Sequence, residues 1–194
     1  PVYMPWLGKK AYDGIMAAYT AASRKNGKKY IPLIKNATQL YVIERGALCG
    51  VVLDGSYNLT EANYKTSLQN MVDRVLITDK DGNQIGVVED TAAQQKYGVV
   101  QTVYKQEDGK DAQTEAKALL QTLEQTGSVT GCQGDSRAVS GYALIVQETT
   151  TGLFGKFYIE SDTHTFTDGK HEMALTLAFS NMMDEKEIEN QSQG

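Results

Sequence analysis

The sequence predicts an α+β protein, mainly β: a sheet-built domain interrupted by a small helix-containing insertion and preceded by a small α+β domain. Three observations carry this reading. Between Gly141 and Phe179 apolar residues alternate with polar ones in successive short runs, and a period of two marks strands with one buried face. Helical periodicity free of competing β-formers marks residues 11–24 and the stretch 91–127. Strand signals flank that second stretch on both sides, which places its helices in an insertion within a β-barrel or sandwich.

Ala11 to Arg24 reads as an amphipathic helix whose apolar face is Tyr12, Ile15, Met16 and Tyr19, with Asn26-Gly27 as the stop. Two short strands follow, Tyr30–Ile34 and Gln39–Glu44, joined by Lys35-Asn36-Ala37-Thr38 and closed by Arg45-Gly46. Residues 1–50 are thus expected to form the small α+β domain. Leu68 to Thr78 mixes helical spacing with β-formers and predicts a short helical turn running into a strand. Asp79-Lys80-Asp81-Gly82-Asn83 is a hairpin turn, returning along 84–89.

From Asp90 the pattern changes. Thr91 to Lys96 predicts one or two helical turns ending at Tyr97-Gly98, and Val99 to Tyr104 a strand. Asp111 caps a second amphipathic helix with Ala112, Ala116, Leu119, Leu120 and Leu123 on one face, ended by Gly127. Strands resume at Ser128. In the closing stretch Tyr142, Leu144 and Val146 form one run, Phe157 and Ile159 another, and Met173, Leu175, Leu177 and Phe179 the last. Thr167-Asp168-Gly169-Lys170 supplies the turn of the final hairpin. The domains expected are 1–50, then 51–90 with 128–184 as the β domain, 91–127 as its insertion, and 185–194 as an acidic, disordered tail.

With 194 residues, 41% of them hydrophobic, the chain can bury a sizeable core. No apolar run reaches the ~18 residues of a membrane span. Its start lacks a signal-peptide pattern and an initiator Met, so it is expected to begin inside a longer polypeptide. A formal charge of −5 argues against specific nucleic-acid binding. The basic cluster Arg24-Lys25-Asn26-Gly27-Lys28-Lys29 suits a helix C-terminus, where cations favour the dipole. Cys49 and Cys132 have neither disulfide-framework nor zinc spacing and read as free thiols.

The strongest case for a chemical site is the final hairpin. A two-residue turn at Asp168-Gly169 puts Asp162, His164, Phe166, His171 and Met173 on one face, and an Asp with two His is a donor set that divalent metals accept. Met173 continues into the apolar row Leu175, Leu177 and Phe179, however, so the histidines read as edging a core face and no metal is expected. Cys132, in Thr130-Gly131-Cys132-Gln133-Gly134-Asp135, has no catalytic signature around it. No carboxylate pair stands out for glycoside hydrolysis. Asn58-Leu59-Thr60 matches a glycosylation acceptor. The eleven tyrosines, among them 41, 57, 64, 97, 104, 142 and 158, read as sheet packing, with a carbohydrate-binding face as the alternative. No catalytic, cofactor-binding or metal residues are assigned, and no enzyme is expected.

A resemblance adds to this. In order along the chain come Ser67-Leu68-Gln69-Asn70-Met71-Val72-Asp73-Arg74-Val75 leading to a DxDG hairpin, Glu89-Asp90, Lys96-Tyr97-Gly98-Val99-Val100-Gln101 and the Ala/Leu-rich stretch 112–123. Thr151-Gly152-Leu153-Phe154-Gly155-Lys156-Phe157-Tyr158-Ile159 and Ser161-Asp162-Thr163-His164-Thr165-Phe166 follow. In this order and spacing residues 51–184 resemble the C-terminal half of the XkdQ-like tail hub family of PBSX-type phage-like elements, within the wider late-control-D class. The resemblance implies a homotrimeric, non-enzymatic baseplate hub with two tube-like β-barrels per subunit, the second interrupted by an inserted domain and the first preceding this chain. Three subunits would imitate a sixfold ring and adapt the tail tube to the trimeric spike. It further implies tail tube, spike and baseplate proteins as partners, assembly in the bacterial cytoplasm and residence in the particle's tail baseplate. The alternatives are a baseplate-associated cell-wall (peptidoglycan) hydrolase and a carbohydrate-binding module.

Overall fold

The structure, a computed structural model, describes residues 10–187. Among the described residues, eleven strands and three helices fall into two compact units, one made of 10–64 and 126–187, the other of 65–125.

In the first unit α1 (Ala11–Asn26) ends where Gly27 turns left-handed and its N–H returns to the Ser23 carbonyl. The buried stripe is Gly14, Met16, Ala17, Thr20 and Ser23, while Tyr12 is exposed. This corrects the expected face Tyr12, Ile15, Met16 and Tyr19. Small residues bury because they allow close approach, and Thr20 satisfies its hydroxyl by donating to the Met16 carbonyl at 2.8 Å. The hairpin β1 (Tyr30–Lys35) and β2 (Gln39–Glu44) follows. Of the tail expected to be disordered, 188–194 lie outside the described residues, as do 1–9 of the first module. Residues 185–187 lie against α1. Lys29 pairs with Glu185 at 2.8 Å, Arg24 pairs with Glu187, and the Lys186 amide donates to Thr20 Oγ1 at 3.1 Å.

The large sheet runs in the order β3 (Leu48–Asp54), β9 (Ala143–Glu148), β10 (Leu153–Thr167), β11 (Lys170–Ala178), β8 (Glu124–Gln133), β4 (Glu61–Ser67). All these pairings whose register is described are antiparallel except β3 with β9. One apolar cluster draws Val51 and Leu53 from β3, Leu144 and Val146 from β9, and Leu153, Phe157 and Ile159 from β10. Met173, Leu175 and Leu177 of β11 and Val129 and Cys132 of β8 complete its strand positions, with Ala62 of β4 packed against it. No helix contributes to that cluster, so the sheet buries this face by wrapping over itself.

The wrapping stops short of the closed barrel that was expected. β3 and β4 are the two ends of the ladder and do not pair with each other. The segment between them, 55–60, fills the seam instead. Asn58 donates to the Val52 carbonyl at 3.0 Å and accepts from the Asp54 amide at 2.8 Å, while its own carbonyl accepts from Gln133 N at 3.0 Å. One side-chain amide therefore takes the place of a strand at β3.

The runs 157–159 and 162–166 belong to a single fifteen-residue strand, β10, with a register shift between Ile159 and Ser161. That bulge inserts one residue and reverses the parity of the pleat. Odd-numbered Phe157 and Ile159 thereby share a face with even-numbered Asp162 and His164, opposite Leu175 and Met173. The hairpin turn is as the sequence predicts, with Asp168 (φ 49°) and Gly169 (φ 74°) both left-handed between paired Thr167 and Lys170.

In the second unit β6 (Gln84–Glu89), β5 (Arg74–Thr78) and β7 (Gln101–Lys105) form a separate three-stranded sheet. Residues 74–89 had been grouped with the larger sheet, but β5 pairs antiparallel with β6 and parallel with β7. α2 (Thr91–Tyr97) is capped by Asp90 and α3 (Ala112–Ala118) by Asp111. α3 is shorter than expected. It ends at Leu119, and Gly127 lies inside β8, where a Cβ would meet Leu153 at 3.2 Å. Ala112, Ala116 and Leu120 cover Val75, Ile77, Val88 and Tyr104. The expected short turn before β5 is a single hydrogen-bonded turn, Met71 N to Leu68 O, and it runs into the strand.

Candidate functional site

Sequence reasoning singled out Asp162, His164, Phe166, His171 and Met173, and the hairpin brings them onto one face. Met173 is buried in the core. His164 and His171 meet edge to edge, Nδ1 of the first 2.8 Å from Nε2 of the second. His164 Nε2 lies 3.1 Å from the Ala138 carbonyl and 3.6 Å from Asp162 Oδ2. Asp162 accepts the Ser140 amide at 2.6 Å. Phe166, 71% exposed, stacks on His171 with centroids 4.1 Å apart. Across the site Gly134 donates to the His171 carbonyl at 2.8 Å, and its missing Cβ would stand 2.2 Å from the His171 ring. Three of the four ring nitrogens are spent on each other and on a carbonyl, which leaves only His171 Nδ1. Among the described residues no group of three or more His, Cys, Asp and Glu side chains is placed to hold an ion.

Cys132 is buried in the core, and burial pushes its thiol up to about 11, which keeps it protonated and poorly nucleophilic. Cys49 and Cys132 are both free. Asp135 is held down to about 2 by the Arg137 guanidinium, and Glu148 to about 2 by hydrogen bonds from Thr151 and Thr150. Both carboxylates are therefore tied into turns. Among the described residues the exposed tyrosines sit on separate elements, Tyr12 on α1, Tyr41 on β2, Tyr57 after β3 and Tyr64 on β4.

Exposed apolar surface is the stronger signal. In the second unit the face of the small sheet opposite α3 carries a row across all three strands, Val87, Leu76 and Val103, flanked by Ile85 and Val99. Val103 is 55% exposed and Val99 58%. Arg74, facing Glu89 at 3.6 Å, bounds one end of the row and Lys105 the other. In the first unit a groove of about 590 Å³ is lined by Leu33, Ile34, Leu48, Val139 and Tyr142, with Arg137 at its rim.

Sequence reasoning missed two residues of consequence. Asn58 registered only as a glycosylation acceptor, although its amide is engaged in the β3 seam. Asp73 registered only as part of a recurring run, yet it is 1% exposed and organises the second unit. Its carboxylate accepts Val100 N at 2.9 Å, its amide donates to Val100 O at 3.0 Å, and its carbonyl accepts Asp90 N at 2.8 Å. No periodicity marks either residue, because Asp73 acts through backbone groups distant in sequence and Asn58 through an irregular turn that folds it back on Val52 and Asp54.

A family model described as YQBQ-like matches residues 4–178. The chain is 26% identical over 192 residues to the phage-like element PBSX protein XkdQ of Bacillus subtilis (strain 168), covering 90% of this chain and 56% of that protein. Among solved structures, the 43 kDa tail protein of prophage MuSo2 from Shewanella oneidensis superposes with a TM-score of 0.57 at 13% identity, over 90% of this chain and 54% of that one. A tail protein from Neisseria meningitidis MC58 gives 0.49 at 14% identity, over 84% and 54%. The chain spans about half the length of the relatives it matches.

Proposed function

Because the chain belongs to the YQBQ-like family, we propose that it is a structural, non-catalytic part of the tail of a phage or phage-like particle. Within the tail its place is the baseplate hub, where a homotrimer adapts the tail tube to the spike. Assembly takes place in the bacterial cytoplasm, and the product resides in the particle's tail baseplate. The observation that carries this is the single continuous similarity to XkdQ over nine-tenths of the chain. The fold shared with a prophage tail protein supports it.

The surfaces have the chemistry that such work requires. The β4 end of the six-stranded sheet offers an edge at which a neighbouring strand can add, whereas Asn58 covers the β3 end. The uncovered row Val87, Leu76 and Val103 offers apolar area of the kind that marks protein contacts. The net charge of −5 suits a wall along which DNA slides without sticking.

The test is the mass, by light scattering, of the full-length protein alone and mixed with its particle's tube and spike proteins. A trimer that binds both is expected. A monomer that ignores both overturns the hub reading, and release of dye from labelled peptidoglycan would favour the hydrolase instead.

A further inference from the structure

We propose that the His164–His171 pair is a proton-operated latch that joins the outer half of the β10–β11 hairpin to the loop 134–141 and releases it in acid. Four hydrogen bonds cross between the two. Gly134 N donates to His171 O at 2.8 Å, His164 Nε2 to Ala138 O at 3.1 Å, Ser140 N to Asp162 Oδ1 at 2.6 Å and Ser140 Oγ to Glu160 O at 2.8 Å. Beyond Ile159 strand β10 pairs only with β11, so this loop is its other support.

The partners fix the protons. A carbonyl only accepts, so in the neutral pair the His164 Nε2 nitrogen carries hydrogen and its Nδ1 is bare. His171 Nε2–H must then donate to that bare Nδ1, across 2.8 Å. A first added proton is accommodated on the free Nδ1 of His171, and the bond between the rings becomes charge-assisted. A second proton leaves no lone pair between the rings. Two N–H groups on two cations then face each other, and the rings must part.

The surroundings make that parting a movement of the backbone. The groups facing the pair are Asp162 and Phe166 on β10, Met173 on β11, and Asp135 and Ala138 on the loop. Asp162 lies 3.6 Å from His164, while Asp135 is already paired with Arg137 at 2.7 Å. One nearby carboxylate is thus free to balance one proton, and the second finds no free partner of its own. His171 cannot slide toward Gly134, whose Cα hydrogens already abut the ring, and Phe166 covers its face. Separation therefore displaces the loop and breaks its hydrogen bonds.

The full chain is tested by ring-nitrogen NMR of ¹⁵N-histidine and by amide exchange at Gly134 and Ser140. The expected result is that His164 starts as the Nε2–H tautomer and that both rings carry charge only where the latch is open. Protection at both amides should fall at least about tenfold from about pH 7.5 to about pH 5, after correction for intrinsic exchange, because imidazoles charge in that interval. His171→Gln retains a donor for His164 Nδ1 and cannot charge, so it should hold the amides protected across the same range. Simultaneous charging of both rings with unchanged protection overturns the latch, as does an acid step that survives in the glutamine variant.

Discussion

Asn58 closes the free edge of Val52: its amide nitrogen donates to the Val52 carbonyl at 3.0 Å, and its oxygen accepts from the Asp54 amide two residues on. These are the two groups that a neighbouring strand would engage, so one side chain blocks strand addition at that end of β3. Asn58→Ala removes both bonds and is expected to cost about 1–2 kcal/mol. The variant should also self-associate. Urea unfolding reads the first effect and light scattering the second; an unchanged midpoint and mass would refute the role given to Asn58.

Asp73 ties β5 to the segment before β7 and to the start of α2. Asp73→Ala strands the Val100 amide and is expected to destabilise the second unit by about 2–3 kcal/mol. Asp73→Asn keeps one acceptor oxygen and should cost less. Amide exchange at Val100 and Asp90 distinguishes a local loss from a global one, and the local loss is expected.

Gly134→Ala would place a methyl 2.2 Å from the His171 ring. The expected cost is about 1–3 kcal/mol, as for overpacking in a filled interior. The interring hydrogen bond should disappear with it. Calorimetry together with the imidazole nitrogen shifts checks both. A methyl tolerated without loss would mean that the loop yields freely.

Asp135 and Glu148 are both held at about 2, below the roughly 4 of a free carboxyl. Depressed acids contribute stability that is complete above the unfolded value and is lost as pH falls through the folded one. Urea midpoints should therefore decline between about pH 4 and about pH 2. The double variant Asp135→Asn with Glu148→Gln should show a shallower decline over that interval, measured side by side with the parent.

The row Val87, Leu76 and Val103 is expected to serve contact rather than folding. Val87→Lys and Val103→Lys should each change unfolding free energy by no more than about 0.5 kcal/mol, as exposed positions do. In the full-length protein the pair should weaken assembly with tail partners at least about tenfold, which sedimentation can measure. Unaltered assembly would remove this face from the proposed interfaces.

The sequence by itself determined most elements, the hairpin at Asp168-Gly169, the caps at Asp90 and Asp111, and the shared face of Asp162, His164 and His171. Those are short-range matters, set by pleat parity, turn chemistry and capping. It also carried the family, because order and spacing survive where single motifs do not. Only the tertiary structure decided that β5 and β6 leave the large sheet, that α1 buries its small residues, and that the seam between β3 and β4 is held by Asn58. The first depends on which strands meet across tens of residues, the second on what packs against the helix, and the third on an irregular turn that brings Asn58 back to Val52 and Asp54; no local period encodes any of them. The bulge at Ile159–Ser161 shows the boundary between the two. Alternation was legible on either side of it, but the one-residue insertion that aligns Ile159 with Asp162 and His164 exists only through pairing with β11.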